Sequence, residues 1–348
     1  MASDFINRSR LAAGSFVLVV GLIAASHSAQ AKQLGVELEM RVQSPAIPIH
    51  ELIDGWAESG KGQYAQGRAQ FESWVRLDDG LTLGYVKRAD YHLAFTQNTS
   101  LFYSRLENFD LEPGRYPLSL SVNALSAEGL FAQYFIPLST KGRFFLKASV
   151  LQGSVVQLGT LKGEGEVFSD GGYEYRYDLD YYYDHNRLLN SPEEPVEGYG
   201  YALDIGLEYS LGRHWSLEGE IKDWLYHMYW LNINRDQGCL ASPVTADCDG
   251  TSAQETVRQR IRSDSRWRIY GKGQRFNPYV QWGSWVRHSE VELGVLYKKW
   301  SLGWEANHRQ ANLSYESDRL QVKWAFDSPL YKQAHQWQLQ LGVTWPFQ

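Results

Sequence analysis

The chain reads as an all-β protein: a closed antiparallel transmembrane β-barrel of roughly 12–16 strands, with 14 the favoured count. Three observations carry this. Apolar and polar residues alternate with a period of two in rows that recur from end to end, the pattern of strands with two unlike faces. Helical periodicity is almost absent; residues 45–63, around "IHELIDGWAE", are the one segment expected to be irregular or briefly helical. Ring residues and glycine are abundant, with 13 Trp, 22 Tyr and 31 Gly, and there are only two Cys.

Residues 1–31 read as a secretory signal peptide. Arg8 and Arg10 stand in a short head, Leu11 to Ser26 is an apolar run, and Ala29-Gln30-Ala31 supplies the small-x-small exit. Residues 32–348 then form one barrel domain. They contain no apolar stretch of about 18 residues, so no helix is expected to span a bilayer. A net charge of −6 gives no nucleic-acid signature. Export implies an oxidising compartment, where Cys239 and Cys248 in "CLASPVTADC" are expected to staple a loop by a disulfide. Residues 235–255 hold no other Cys and no His to complete a metal site, and no cofactor is expected.

The rows follow in order. Val36, Leu38, Met40 and Val42 oppose Glu37, Glu39 and Arg41. Ala69, Phe71, Val75 and Leu77 oppose Gln70, Glu72 and Arg76, and after the turn at Asp78–Gly80 the return strand carries Leu81, Leu83, Tyr85, Ala89, Tyr91, Leu93 and Phe95. Tyr201 to Leu211 alternate again, "GRH" turns the chain, and Glu218, Glu220 and Lys222 face away from Leu217 and Ile221. Leu320, Val322, Trp324 and Phe326 form another row, and Trp337 to Phe347 the last. Residues 99–170 and 272–318 are irregular and are expected to hide further strands. Several rows exceed the five or six residues usual in soluble sheets and match the roughly 9–11 of a tilted membrane strand. In a bilayer every backbone amide must find an internal partner, which demands closure. The stretch "GYEYRYDLDYYYD" is expected to be one barrel strand, with Glu174, Arg176, Asp178 and Asp180 facing the lumen. From Tyr181 onward it should project past the outer headgroups.

Signal peptide, dyad repeats, aromatic strand ends and the last strand "WQLQLGVTWPF" together resemble a bacterial outer-membrane β-barrel. The resemblance covers the mature chain as a class and matches no particular family. It implies outer-membrane localisation, contact with membrane lipid and lipopolysaccharide, and handling by periplasmic chaperones and the barrel-assembly machinery. It also implies that a terminal aromatic residue, here Phe347, serves as an assembly signal, although Gln348 follows it. Both termini would face the periplasm and the cysteine loop the exterior. No nucleic-acid partner is expected, and the sequence carries no sign of oligomeric state.

The sharpest charge feature is "VRQRIRSDSRWR", in which Arg258, Arg260, Arg262, Arg266 and Arg268 share one parity and would form a ladder on one strand face. Such a ladder must avoid the lipid midplane, where Arg costs roughly 2–4 kcal/mol. As in general porins, it would line a pore opposite an acidic loop, for which Glu107, Asp110 and Glu112 are the candidates. Bracing the wall against Glu218 and Glu220 is the blander role. Binding lipopolysaccharide phosphate would require Arg residues at the outer rim, facing outward. The resulting expectation is a porin-like channel for a small polar solute, not an enzyme. The alternatives are a structural or assembly barrel with a filled lumen, and a hydrolase. His288 and Ser289 are adjacent and so point to opposite faces, and Asp184–His185 lacks further ligands. The aromatic "DWLYHMYWL" reads as an interfacial girdle, with a sugar-stacking track as its rival.

Overall fold

The computed structural model describes residues 31–51, 62–77, 80–108, 112–185, 195–243, 248–286 and 288–347. Residues 1–30 and 52–61, which hold most of the leader and of the helix candidate, lie outside the described residues. The strands are β1 (Ala31–Gln43), β2 (Tyr64–Leu77), β3 (Leu81–Phe95), β4 (Gly114–Ser139), β5 (Gly142–Val167), β6 (Tyr173–Tyr183), β7 (Glu197–Ser210) and β8 (Trp215–Ser242). They continue as β9 (Gly250–Arg260), β10 (Asp264–Gly271), β11 (Asn277–Trp285), β12 (His288–Tyr297), β13 (Trp300–Glu305), β14 (Gln310–Glu316), β15 (Leu320–Phe326) and β16 (Gln336–Pro346). Helix α1 (Gln97–Asn108) lies between β3 and β4.

Fourteen of these strands form a closed antiparallel ring, in the order β1 to β5, β7, β8, and β10 to β16. It closes where β16 meets β1, with Gln33 opposite Pro346 and Gln43 opposite Gln336. Short connections gather at the end that holds both β1's start and β16's finish; Gly80 there takes φ 83°, a left-handed turn that glycine adopts without strain. The opposite end carries the long loops. The ring is apolar outside and charged inside: Val150 is 66% and Leu302 64% exposed, whereas Asp223 is 1% exposed. That inversion of the ordinary soluble pattern is the signature of a lipid-facing barrel.

The wall is uneven. Strands β11 to β15 run 6 to 10 residues, while β4, β5 and β8 run 26, 26 and 28. Above the ring these long strands carry two additional ones. The lower half of β5 pairs β7, and its upper half, Gln157 to Val167, pairs β6 instead. The upper half of β8 pairs β6 on one side and β9 on the other. The stretch expected to be a barrel strand is therefore an extramembrane one. It fills the edge that β7 leaves open when it ends at Glu197, and the whole of it, not only its end, stands beyond the ring.

This upper sheet curls until β9 meets β4: Gln259 donates to Asn123 Oδ1 (2.7 Å), and Asn123 donates to the Arg260 carbonyl (3.2 Å). Its inner face is apolar, with Leu125, Val156, Met228, Trp230 and Ile233 all nearly inaccessible, and Trp230 donates its indole N–H to Gln259 (2.7 Å). Helix α1 packs on the outer face, where Phe102 meets Leu118 and Val167. The disulfide Cys239–Cys248 closes the tip of the β8–β9 hairpin. Beside the sheet, residues 44–49 tuck Ala46 and Ile47 against Ala65 and Phe95, held to the segment before β16 by the Ser44 and Ile49 amides.

Candidate functional site: the barrel lumen

Charged side chains cross the lumen at the loop end of the ring. Arg68 on β2 donates to Asp90 on β3 (2.7 Å), to Asp223 on β8 (2.9 Å) and to Asp264 on β10. Arg88 on β3 makes a two-pronged pair with Asp223 (2.7 and 2.8 Å) and reaches Asp90 (2.8 Å). In the fourteen-strand ring β8 stands five places from β2 and four from β3, so the bonds to Asp223 span the lumen rather than join neighbouring strands. All the members but Asp264 are below a tenth exposed. A second tier lies beneath: Lys222 to Glu39 (2.8 Å), Arg266 to Glu39 (3.9 Å), and Lys147 to Glu72. Removing both charges of such pairs can be neutral, but removing one strands its partner in a low dielectric.

One backbone distortion makes the upper tier possible. Lys222 and Asp223 are sequence neighbours and on a regular strand would face opposite sides. Asp223 has φ 56°, and here the β7–β8 register jumps from Leu203↔Leu225 to Ile205↔Ile221. The bulge turns both side chains inward and leaves Trp224 50% exposed on the outside. The Asp223 amide then donates to Asp204 Oδ1 (2.7 Å).

Below the tiers is a cavity of about 310 Å³, bordered by Glu208, Glu316 and Gln321 near the short-turn end and by Glu218, Glu220 and Arg268 deeper in. The guanidinium of Arg268 lies 4.5 Å from the Tyr279 ring centroid. The lumen is thus a polar vestibule at one end and a layer of paired charges at the other.

The arginine ladder divides. Arg266 and Arg268 pair with Glu220 and Glu218 across β10–β8 and face the interior. Arg258 and Arg260 pair with Tyr229 and His227 across β9–β8 and face outward, so they line no pore. The cause is the interruption at Ile261–Ser263, which belongs to neither strand and shifts the phase. His227 opposes Arg260, whereas Lys222, five residues away, opposes Asp264, only four residues on. Arg262 is exposed in that break. The acidic constriction is also corrected: Glu112 is exposed just before β4, thirteen residues of strand away from Ala127, which pairs with Arg88 at the mouth. Asp110 and the Glu107 side chain lie outside the described residues. Glu174, Arg176, Asp178 and Asp180 share the inner side of β6 but stand above the ring, not in its lumen. There Arg235 bridges Asp180 (2.8 Å) and Glu255 (2.9 Å), and these two hydrogen bonds hold its pKa above the usual arginine value. His288 stacks on Tyr64 with 3.8 Å between ring centroids, and His185 lies 3.4 Å from Asp184.

Sequence reasoning missed the mouth itself. Its one signal was the loss of alternation in "DWLYHMYWL", where Asp223 opens the stretch; Trp224, Leu225 and Tyr229 do face outward, while Tyr226, Met228 and Trp230 are interior.

No protein-family model matches the chain, and no curated protein does. Among solved structures it is similar to a mutant of TodX described as a monoaromatic hydrocarbon channel, at 11% identity and a TM-score of 0.41, covering 91% of this chain and 90% of that one. The toluene transporter TodX of Pseudomonas putida gives 11% identity and a TM-score of 0.34, covering 91% and 89%. The outer membrane protease OmpT of Escherichia coli gives 9% and 0.27, covering 91% and 95%. The likeness is one of barrel architecture.

Proposed function

We propose that the chain is an exported outer-membrane channel for a small polar solute, seen with its loop-end mouth closed. In this reading the termini and the vestibule face the periplasm, and the curled upper sheet faces the exterior. The observation that carries the reading is the polar vestibule of about 310 Å³ ending on a layer of ion pairs. A scaffold has no need of a wet, charged cavity, whereas a channel does. The ion pairs would act as the gate. They neutralise one another in the closed mouth, and a change in the upper sheet, which rests on them through Arg88 over the Tyr226 ring (4.4 Å), would separate them.

A second reading has its own support: the same cross-lumen pairs brace a barrel that never opens, a structural component with a filled lumen. Planar-bilayer recording distinguishes the two. Neutralising the mouth with Arg68→Gln, Arg88→Gln, Asp90→Asn and Asp223→Asn should raise conductance from rare events to steady ohmic steps. If a correctly folded variant stays silent, the channel reading fails and the scaffold stands.

A further inference from the structure

The half of the arginine ladder that leaves the lumen needs a different partner. Tyr201 on β7, His227 on β8 and Arg260 on β9 lie opposite one another in register, and Tyr229 opposes Arg258 one rung higher. All five face outward, because their sequence neighbours Ala202, Tyr226, Met228 and Gln259 form the buried inner face. The row stands at the upper edge of the lipid-facing belt. Below it are Leu225 and Trp224, 40% and 50% exposed; level with it are Tyr201 and Tyr199, 41% and 52% exposed. Amphipathic rings at that height mark headgroup depth.

Arg258 directs its guanidinium at the His227 ring, with Nη2 2.9 Å from Nε2, which fixes the direction of both side chains. Arg258 and Arg260 are exposed, and among the described residues neither has a carboxylate within ion-pair distance. Glu197, which shares this face of β7, pairs with Leu231 and so stands further from the belt than either arginine. An outward pair of guanidinium groups at headgroup depth, with rings beneath it, matches a phosphate carried on an acyl-chain anchor.

We propose that Arg258 and Arg260, braced by His227, bind a phosphate group of lipopolysaccharide on the outside of the barrel wall, with Leu225 and Trp224 below them against its acyl region. The site rests on the outer-membrane placement proposed above but is independent of whether the barrel conducts. At this position the ligand would lie against the β8–β9 junction, directly outside the mouth.

The test measures lipopolysaccharide binding to purified protein in detergent, by native mass spectrometry or tryptophan fluorescence. R258Q/R260Q should bind at least tenfold more weakly than the parent, while R266Q/R268Q, altered on the inner face, should bind as the parent does. Enzymatically dephosphorylated lipopolysaccharide should bind both proteins equally, and inorganic phosphate should bind neither measurably. Heat-modifiable gel migration checks that each variant is folded, and R258K/R260K should keep part of the affinity through charge alone. Equal binding by parent and R258Q/R260Q overturns the proposal; so does inorganic phosphate binding as tightly as the lipid. Conductance recorded on the same preparations keeps the outcomes apart, since a silent barrel that shows the tenfold difference fails as a channel and stands as a lipid-phosphate binder.

Discussion

The two halves of β8 teach more about this protein than any whole strand does. From Glu218 to Lys222 its inward side chains are charged and its outward ones apolar; from Tyr226 to Trp230 its inward side chains are an apolar core. The strand direction and the face are unchanged. Only the surroundings change, from hydrocarbon outside the ring to polar headgroups and water outside the upper sheet, and the buried class of residue changes sides with them. Strands β11 to β15 stop at the boundary, so they show one regime alone. The tall wall crosses it and shows both.

Substitutions sharpen this contrast. The largest expected effect is at the mouth: Asp223→Ala should destabilise the folded barrel by about 3–5 kcal/mol, because Arg88 loses its two-pronged partner and Arg68 one of its three carboxylates, leaving two buried guanidinium groups to share Asp90. A lowered midpoint in urea unfolding from micelles would register it, and a loss under about 1 kcal/mol would mean that water reaches the mouth freely. Next comes Leu302→Arg on the short wall, expected to cost about 2–4 kcal/mol for a charge facing mid-bilayer lipid, measured by insertion equilibrium in vesicles. Opening the disulfide with Cys239→Ser should cost the upper sheet about 2–3 kcal/mol through loop-closure entropy. That loss should appear as faster proteolysis of the β8–β9 hairpin with ring stability unchanged. The smallest is Leu179→Arg on β6, expected to cost at most about 1 kcal/mol in the same vesicle assay, since that residue faces water rather than lipid. A cost equal to that of Leu302→Arg would return β6 to the membrane and erase the contrast.

Period-two rows made most ring strands legible, because lipid on one side and a charged lumen on the other enforce strict alternation. The upper halves of β4 and β5 were not legible for the converse reason. From Gly114 to Ser126 and from Val156 to Val167 the outer face meets water and α1 instead of lipid, so Gly159, Gly163 and Gly165 interrupt the outer row while Ser, Asn and Thr share the inner one with charged residues. The arginine ladder misled because parity carries across a break only if the break holds the right number of residues. Nothing in "RIRSD" announces that Ile261–Ser263 shifts the phase. The mouth was hidden for a similar reason: a left-handed Asp223 is a local bulge whose meaning depends on Arg68 and Arg88, more than 130 residues earlier.

Those separations have a consequence for biogenesis. The lumen pairs join residues 155, 196 and 249 positions apart, from Arg68 to Asp223, Arg68 to Asp264 and Arg41 to Glu290. A half-built curved sheet entering a bilayer would therefore carry incompletely matched guanidinium groups on its concave side, and their remaining partners would arrive only with the second half of the chain. Stepwise insertion, hairpin by hairpin, would pass through a costly series of intermediates. Late, nearly simultaneous zippering of the precursor would avoid them, with the seam between β16 and β1 closing last.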